Sequence, residues 1–201
     1  ALSETKKKGG KIISINPLPE VGLKNYVNPQ NPLKWFGKGQ ELTDLFLQVK
    51  INGDVALLKI ILKLMRERES EQPNSVFNHD FIKEKTKGLD TFLEDLDTYS
   101  IEKLLPQTGI SLEQIKEAAE LIINNDKIII CWAMGLTQHK NAVDNIREIV
   151  NLLLLKGSIG KQGAGTCPVR GHSNVQGDRT MGIWEKLQPA FGEKLAKEFD
   201  F

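Results

Sequence analysis

Three short apolar segments set the architecture: residues 11–15 (KIISI), 45–49 (LFLQV) and 128–133 (IIICWA), with helix-forming sequence between them. The second leads through Asn52-Gly53 into a stretch that places Val55, Leu58, Ile61, Leu62 and Met65 on one helical face, with Asp54 read as the N-cap. The third leads through residues 134–138 into a helix whose apolar positions, Ala142, Val143, Ile146, Ile149, Val150, Leu153 and Leu154, recur at offsets of three and four. Strands that alternate with amphipathic helices build βα units. The unbroken run IIICWA fits a strand buried on both faces, the usual state of a parallel sheet. The chain is therefore expected to be α/β, with a mainly parallel sheet flanked by helices.

The remaining sequence fills in that plan. Residues 1–8 read as the last turns of a helix, with lysines suited to its C-terminal dipole and Gly9-Gly10 as the stop. A chain that opens inside a helix is expected to be a piece of a larger protein. Residues 16–40, with Pro17, Pro19, Pro29 and Pro32, read as an irregular excursion that holds no long helix. Residues 66–76 read as a charged linker ended by Pro73, and residues 77–106 as short helices joined by turns. Ser111-Leu112-Glu113-Gln114 matches a capping box, opening a helix with Leu112, Ile115, Ala118, Ala119 and Ile122 inward, and Asn124-Asn125-Asp126 ends it.

Charge and cysteine usage exclude several function classes. Twenty-seven basic against 26 acidic residues leave no whole-chain field to attract nucleic acid or an anionic membrane, so an anion site has to be local. The longest apolar runs fall well short of the ~20 residues of a membrane span, and the opening lacks the apolar core of a secretory signal. A cytoplasmic location is the expectation, with export of the parent protein left open. Two cysteines are too few for a disulfide framework and form no metal spacing. Cys131, inside IIICWA, reads as a small core residue, and Cys167 as the one thiol in a site-like setting.

That setting is residues 157–182, GSIGKQGAGTCPVRGHSNVQGDRTMG, which hold seven of the 17 glycines together with Arg170, His172, Asn174, Gln176, Asp178 and Arg179. Such a segment cannot build a core, whereas glycines let backbone N–H groups approach an anionic ligand closely. The plainer role of these glycines is to end a helix and make turns. Ligands of open α/β sheets bind beyond the carboxyl ends of the strands. Three further segments hold that position, Asn16-Pro17, Asn52-Gly53-Asp54 and residues 134–138, and in a parallel sheet they converge with the glycine-rich run on one crevice. His79 and His139 both stand at helix starts and read as solvated or capping. The phosphate loop GxxxxGK[ST] is absent, since Gln162 follows Lys161, and no GxGxxG joins a strand to a helix.

The string WAMGLTQHKNAVDNIREIVNLLLLKGSIGKQGAGTCPVRGHSNVQGDRTMG resembles the corresponding segment of molybdopterin oxidoreductase alpha subunits, in the formate-dehydrogenase-like branch of the dimethyl-sulfoxide-reductase family. GGKIISINP and VKINGDVALLKIIL extend the resemblance upstream, over essentially the whole chain. The resemblance implies a Rossmann-like binding domain for bis-molybdopterin guanine dinucleotide (bis-MGD) with molybdenum over residues 1–166, its N-terminal part missing. Residues 167–201 would be a substrate and cofactor loop and the start of the next domain. It further implies cofactor contacts by Asn16, Gly53, Asp54, Met134, Gly135, Thr137, Gln138, Gly165, Asn174, Gln176 and Gly177, with Asn16 in place of an acidic residue. Arg170 matches an arginine that orients the substrate beside the metal. His172 stands where formate dehydrogenases carry glutamine, a second catalytic position at which this chain departs from the formate pattern. The molybdenum ligand and any iron–sulfur cluster would be held by residues outside this segment. Implied partners are the remainder of the same polypeptide, a small-molecule substrate and an electron-transfer partner. The competing class is a stand-alone α/β module that binds a nucleotide or molybdopterin without redox chemistry.

Overall fold

A computed structural model describes residues 1–27, 39–172 and 174–200. Pro29, Pro32 and the rest of residues 28–38 of the proline-containing excursion lie outside the described residues. The chain divides into two units, residues 1–167 and 168–201.

In the first unit, helix α1 (Leu2–Lys7) ends at a glycine turn and gives way to strand β1 (Ile13–Ile15). A four-residue helix, α2 (Val21–Lys24), precedes the antiparallel strands β2 (Asn25–Tyr26) and β3 (Gln40–Glu41). Strand β4 (Leu45–Leu47) then pairs with β1 in parallel, Ile13 beside Leu45 and Ile15 beside Leu47. Buried between these two strands and the α2 end, the Ser14 and Thr43 hydroxyls share a hydrogen bond of 2.6 Å, and Thr43 also donates to Leu23 O at 2.6 Å.

Helix α3 (Asp54–Glu71) is the centre of the core. Residues 56–62 of this helix are buried all round, and Met65 is buried one turn further on. It packs against α5 (Leu89–Asp97), α6 (Ile101–Thr108), α7 (Leu112–Ile123) and α9 (Ala142–Leu155), while α4 (His79–Lys85) lies on α9. The expected linker over residues 66–76 is thus largely helix. RERESE consists of good helix formers, so nothing stops α3 until Gln72-Pro73. The helix start also differs from expectation: Gly53 is the N-cap, without a side-chain cap, and Asp54 is the first helical residue. Ser111 caps α7 as its sequence predicts, accepting from the Gln114 N–H, and Ser100 and Asn78 cap α6 and α4 in the same way.

The third apolar segment forms β5 (Ile129–Trp132), followed by a short helix α8 (Met134–Thr137) and by α9; β6 (Gly165–Pro168) pairs with β5. Gly165 N–H donates to Ile128 O at 2.9 Å, joining the start of one strand to the start of the other, so the two run in the same direction. The α/β class with helices around short parallel pairs holds. Burial of β5 on both faces does not: Ile130 and Trp132 pack on the core, while Ile129 and Cys131 face outward and are exposed. Cys131 is therefore not a core residue. Among the described residues β6 is the strand paired with β5 and helices cover one side, so β5 follows the period of two of a half-buried strand.

The face of α9 is also shifted from the apolar stripe. Its buried residues are Asn145, Glu148, Ile149, Leu152, Leu153 and Leu155, whereas Val143 is exposed. The helix ends on Gly157, whose φ of +57° closes the turn while its N–H reaches Leu154 O at 3.0 Å and that of Ser158 reaches Leu153 O at 2.7 Å. The first glycine of the glycine-rich run is thus a helix stop.

The second unit holds α10 (Val175–Thr180) and α11 (Pro189–Phe199), and none of its described residues is buried. Arg179 organises part of it locally, lying 5.1 Å from the Trp184 ring and 3.2 Å from the Glu185 carboxylate. Among the described residues, no helix of the chain is long and apolar enough to cross a membrane.

Candidate functional site

The carboxyl ends of β1 and β4 lie side by side because the strands are parallel and in register. Asn16 N–H continues the ladder to Leu47 O at 3.1 Å, and Gln48 Nε2 returns across it to Pro17 O at 3.0 Å. The Asn16 side chain donates to Leu18 O at 2.6 Å, which shapes its own turn. An amide here spends a donor on the fold, a use that a carboxylate could not serve.

Gly53 is buried where α3 begins. A Cβ at this position would stand 2.7 Å from Gln107 O, 3.0 Å from Lys50 O and 3.2 Å from Thr108 Cα, all backbone atoms that cannot swing aside. Lys50 fixes this junction, its N–H donating to Thr108 O at 2.8 Å and its Nζ to Pro106 O at 3.0 Å. The glycine is required by the packing of α3 on the end of α6. Gly53→Ala is expected to cost about 1–3 kcal/mol of stability through overpacking. Urea denaturation checks this, and an unchanged midpoint would show that the junction yields freely.

Asp54 is half-buried beside that junction. Burial pushes its carboxyl above the ordinary aspartate value, with its own backbone N–H and the charge of His139 pulling it back.

Met134, Gly135, Thr137 and Gln138 are all exposed, and a Cβ on Gly135 would meet nothing within 4 Å. The segment is held from beneath by Asn145, whose Nδ2 donates to Leu136 O at 3.1 Å. Thr137 also lines an open cavity of about 510 Å³ with Ala142, Val143, Ile146 and Arg147. Gly165, with φ of +137°, begins β6 and uses its N–H on Ile128.

In the second unit, Arg170 and Gln176 line a cavity of about 520 Å³ with Val175, Arg179 and Thr180. His172 is exposed and does not line it. Asn174 leans over Gly177, where a Cβ would come within 2.3 Å of its Oδ1. Arg179, named in the sequence only among the polar residues of the glycine-rich run, adds a second guanidinium to the cavity. Its place one helical turn beyond Gln176 is the signal that could have indicated this. Among the described residues, no group of three His, Cys, Asp or Glu side chains is placed to hold a metal ion.

No family model matches the sequence. An uncharacterized oxidoreductase of Mycobacterium tuberculosis is 44% identical over 198 residues, 98% of this chain and 25% of that protein. The alpha subunit of F420-dependent formate dehydrogenase of Methanocaldococcus jannaschii is 29% identical over 203 residues, 98% of this chain and 27% of that protein. Among solved structures, acetylene hydratase from Pelobacter acetylenicus shares the fold with a TM-score of 0.64 at 19% identity, over 80% of this chain and 19% of that one. The chain thus spans about a quarter of the length of the curated relatives it matches. Over nearly its whole length the chain is thus similar to a part of larger proteins named as oxidoreductases, among them a formate dehydrogenase alpha subunit, and it shares its fold with acetylene hydratase.

Proposed function

We propose that this chain is part of the alpha subunit of a bis-MGD oxidoreductase, providing binding surface for the guanine dinucleotide cofactor and an arginine for an oxyanionic substrate. The observation that carries the reading is the pair of βα turns in the first unit. The exposed residues Met134, Gly135, Thr137 and Gln138 flank Leu136, whose carbonyl accepts from Asn145, and half-buried Asp54 opens α3 after β4. Asp54 would accept from the N–H edge of a guanine, and a carboxylate does so with charge-assisted hydrogen bonds. Gly135 and Gly165 would admit close approach of the pterin phosphates to backbone N–H groups. Asn16, Asn174, Gln176 and Gly177 complete the proposed cofactor contacts.

When bound, molybdenum and its pterins supply two-electron redox chemistry, with the protein contributing position and electrostatics. Arg170 presents a planar fork of donors that matches a carboxylate or a similar oxyanion. It shares its cavity with Gln176, which adds an amide, and His172 stands two residues further along.

The test uses the complete parent polypeptide. Arg170→Ala is expected to reduce kcat/KM by at least about 100-fold, the order of a lost oxyanion donor, while molybdenum and pterin content stay at the unsubstituted level. Parallel loss of activity and cofactor would assign Arg170 to cofactor retention and defeat the substrate role.

A further inference from the structure

The two thiols are 36 positions apart in sequence and neighbours in space. Strands β5 and β6 run in the same direction from the Gly165–Ile128 hydrogen bond, which sets Gly165 beside Ile129 and Cys167 beside Cys131. Residues directly abreast on parallel strands project to the same face, with backbones about 4.8 Å apart. That spacing falls inside the Cα separation of roughly 4.4–6.8 Å that a disulfide requires. Both cysteines are exposed, and the other positions on this face are Ile129 and the side-chain-less Gly165. Reagents of low molecular weight can therefore reach both sulfurs.

We propose that Cys131 and Cys167 form a dithiol site that exchanges with low-molecular-weight disulfides and closes reversibly to a cross-strand disulfide. Burial of the sulfur pushes the Cys131 thiol above its ordinary value, and the hydrogen bond with Cys167 pushes it further. Cys131 is accordingly the poorer initial nucleophile, and entry falls to Cys167. The Cys167 thiolate attacks one sulfur of the external disulfide and releases one equivalent of the small thiol. The Cys131 thiolate then attacks the Cys167 sulfur of the mixed disulfide, forms the Cys131–Cys167 bond and expels the second equivalent. Both protein thiols are oxidised and the external disulfide is reduced to two small thiols, which carry away the two protons. Closure ties β5 covalently to the interior of the glycine-rich run.

The experiment treats the 201-residue chain with excess glutathione disulfide, followed by alkylation and tryptic mapping without reductant. The expected result is loss of both free thiols, with peptide 128–140 joined to peptide 162–170 within one chain and both released by dithiothreitol. Cys131→Ser should stop the reaction at a stable glutathione adduct on Cys167. Two separate adducts, disulfides only between chains, or two thiols that stay free in the unsubstituted protein would each overturn the proposal. The reading rests on the cross-link in the unsubstituted chain, so it does not depend on how the variant folds.

Discussion

Replacing Glu69 by alanine should remove about 3 kcal/mol or more of stability, the cost of stranding two buried backbone donors at once. Glu69 stands near the end of α3, where the helix dipole disfavours a carboxylate, yet it is buried and fully engaged. It accepts from the N–H groups of Asn74 at 2.7 Å, Val76 at 2.8 Å and Phe77 at 3.0 Å, and pairs with His79 Nε2 at 2.7 Å. Burial pushes the carboxyl up, but these hydrogen bonds outweigh it and hold the pKa at about 2, against 4.5 for a free glutamate. The folded-state value is depressed, so the stabilisation is fully present above the unfolded value and is lost as the pH falls towards the folded one. A difference of this size corresponds to about 3 kcal/mol released between roughly pH 5 and pH 2. Urea titrations across that window should show the loss in the unsubstituted chain and a much smaller one in Glu69→Gln. Equal losses in both would mean that other carboxylates carry the acid sensitivity.

Breaking the Lys59–Glu148 pair should be as costly. The two side chains meet at 2.8 Å with only 8% and 9% of their surface exposed, joining α3 to α9. Burial lowers the affinity of Lys59 for its proton, but the Glu148 carboxylate more than restores it, so the ammonium is held above its ordinary value. Asp95 at 3.4 Å and the Tyr99 ring at 4.1 Å add to its surroundings. Glu148→Ala leaves that ammonium buried without its close partner, and about 3–5 kcal/mol should be lost. The double replacement Lys59→Met with Glu148→Leu should recover most of it, because no charge is then stranded. A double-mutant cycle decides: purely additive costs would show that the pair is not coupled. The pair also joins the helix that begins with Asp54 to the one whose Asn145 supports Leu136.

The fold class, the βα order and the Ser111 cap of α7 were legible because their causes are local: apolar period, a Ser-x-x-Gln cap, a glycine after the last turn. What escaped the sequence has a tertiary cause. RERESE reads as solvent-facing because Glu69 finds its donors five to ten residues later, in a turn that only the fold places under it. Asn145 and Glu148 read as the wet side of α9 because residue type cannot announce Leu136 and Lys59 as partners. IIICWA reads as doubly buried because apolarity records what a strand tolerates, not what covers it. For the candidate site, the strand-end turns were identifiable from their place after apolar runs. The required closeness of Gly53 to α6 was not, since it depends on contacts far along the chain.

The helix stop at Gly157 sets a difference in path length. Lys156 reaches across to Ile123 O at 2.9 Å, and the Ser158 hydroxyl donates to Asp126 O at 3.1 Å, stitching the two chain segments together just before they enter β5 and β6. From that stitch to the aligned cysteines, one segment travels five residues, Asp126 to Cys131, and the other nine, Ser158 to Cys167. The surplus is taken up in the turn closed by Ala164 N–H on Lys161 O. Residues 159–164 therefore act as a take-up loop that meters chain into β6. Adding or removing one residue there would turn Cys167 to the opposite face of its strand, because side chains alternate with every residue.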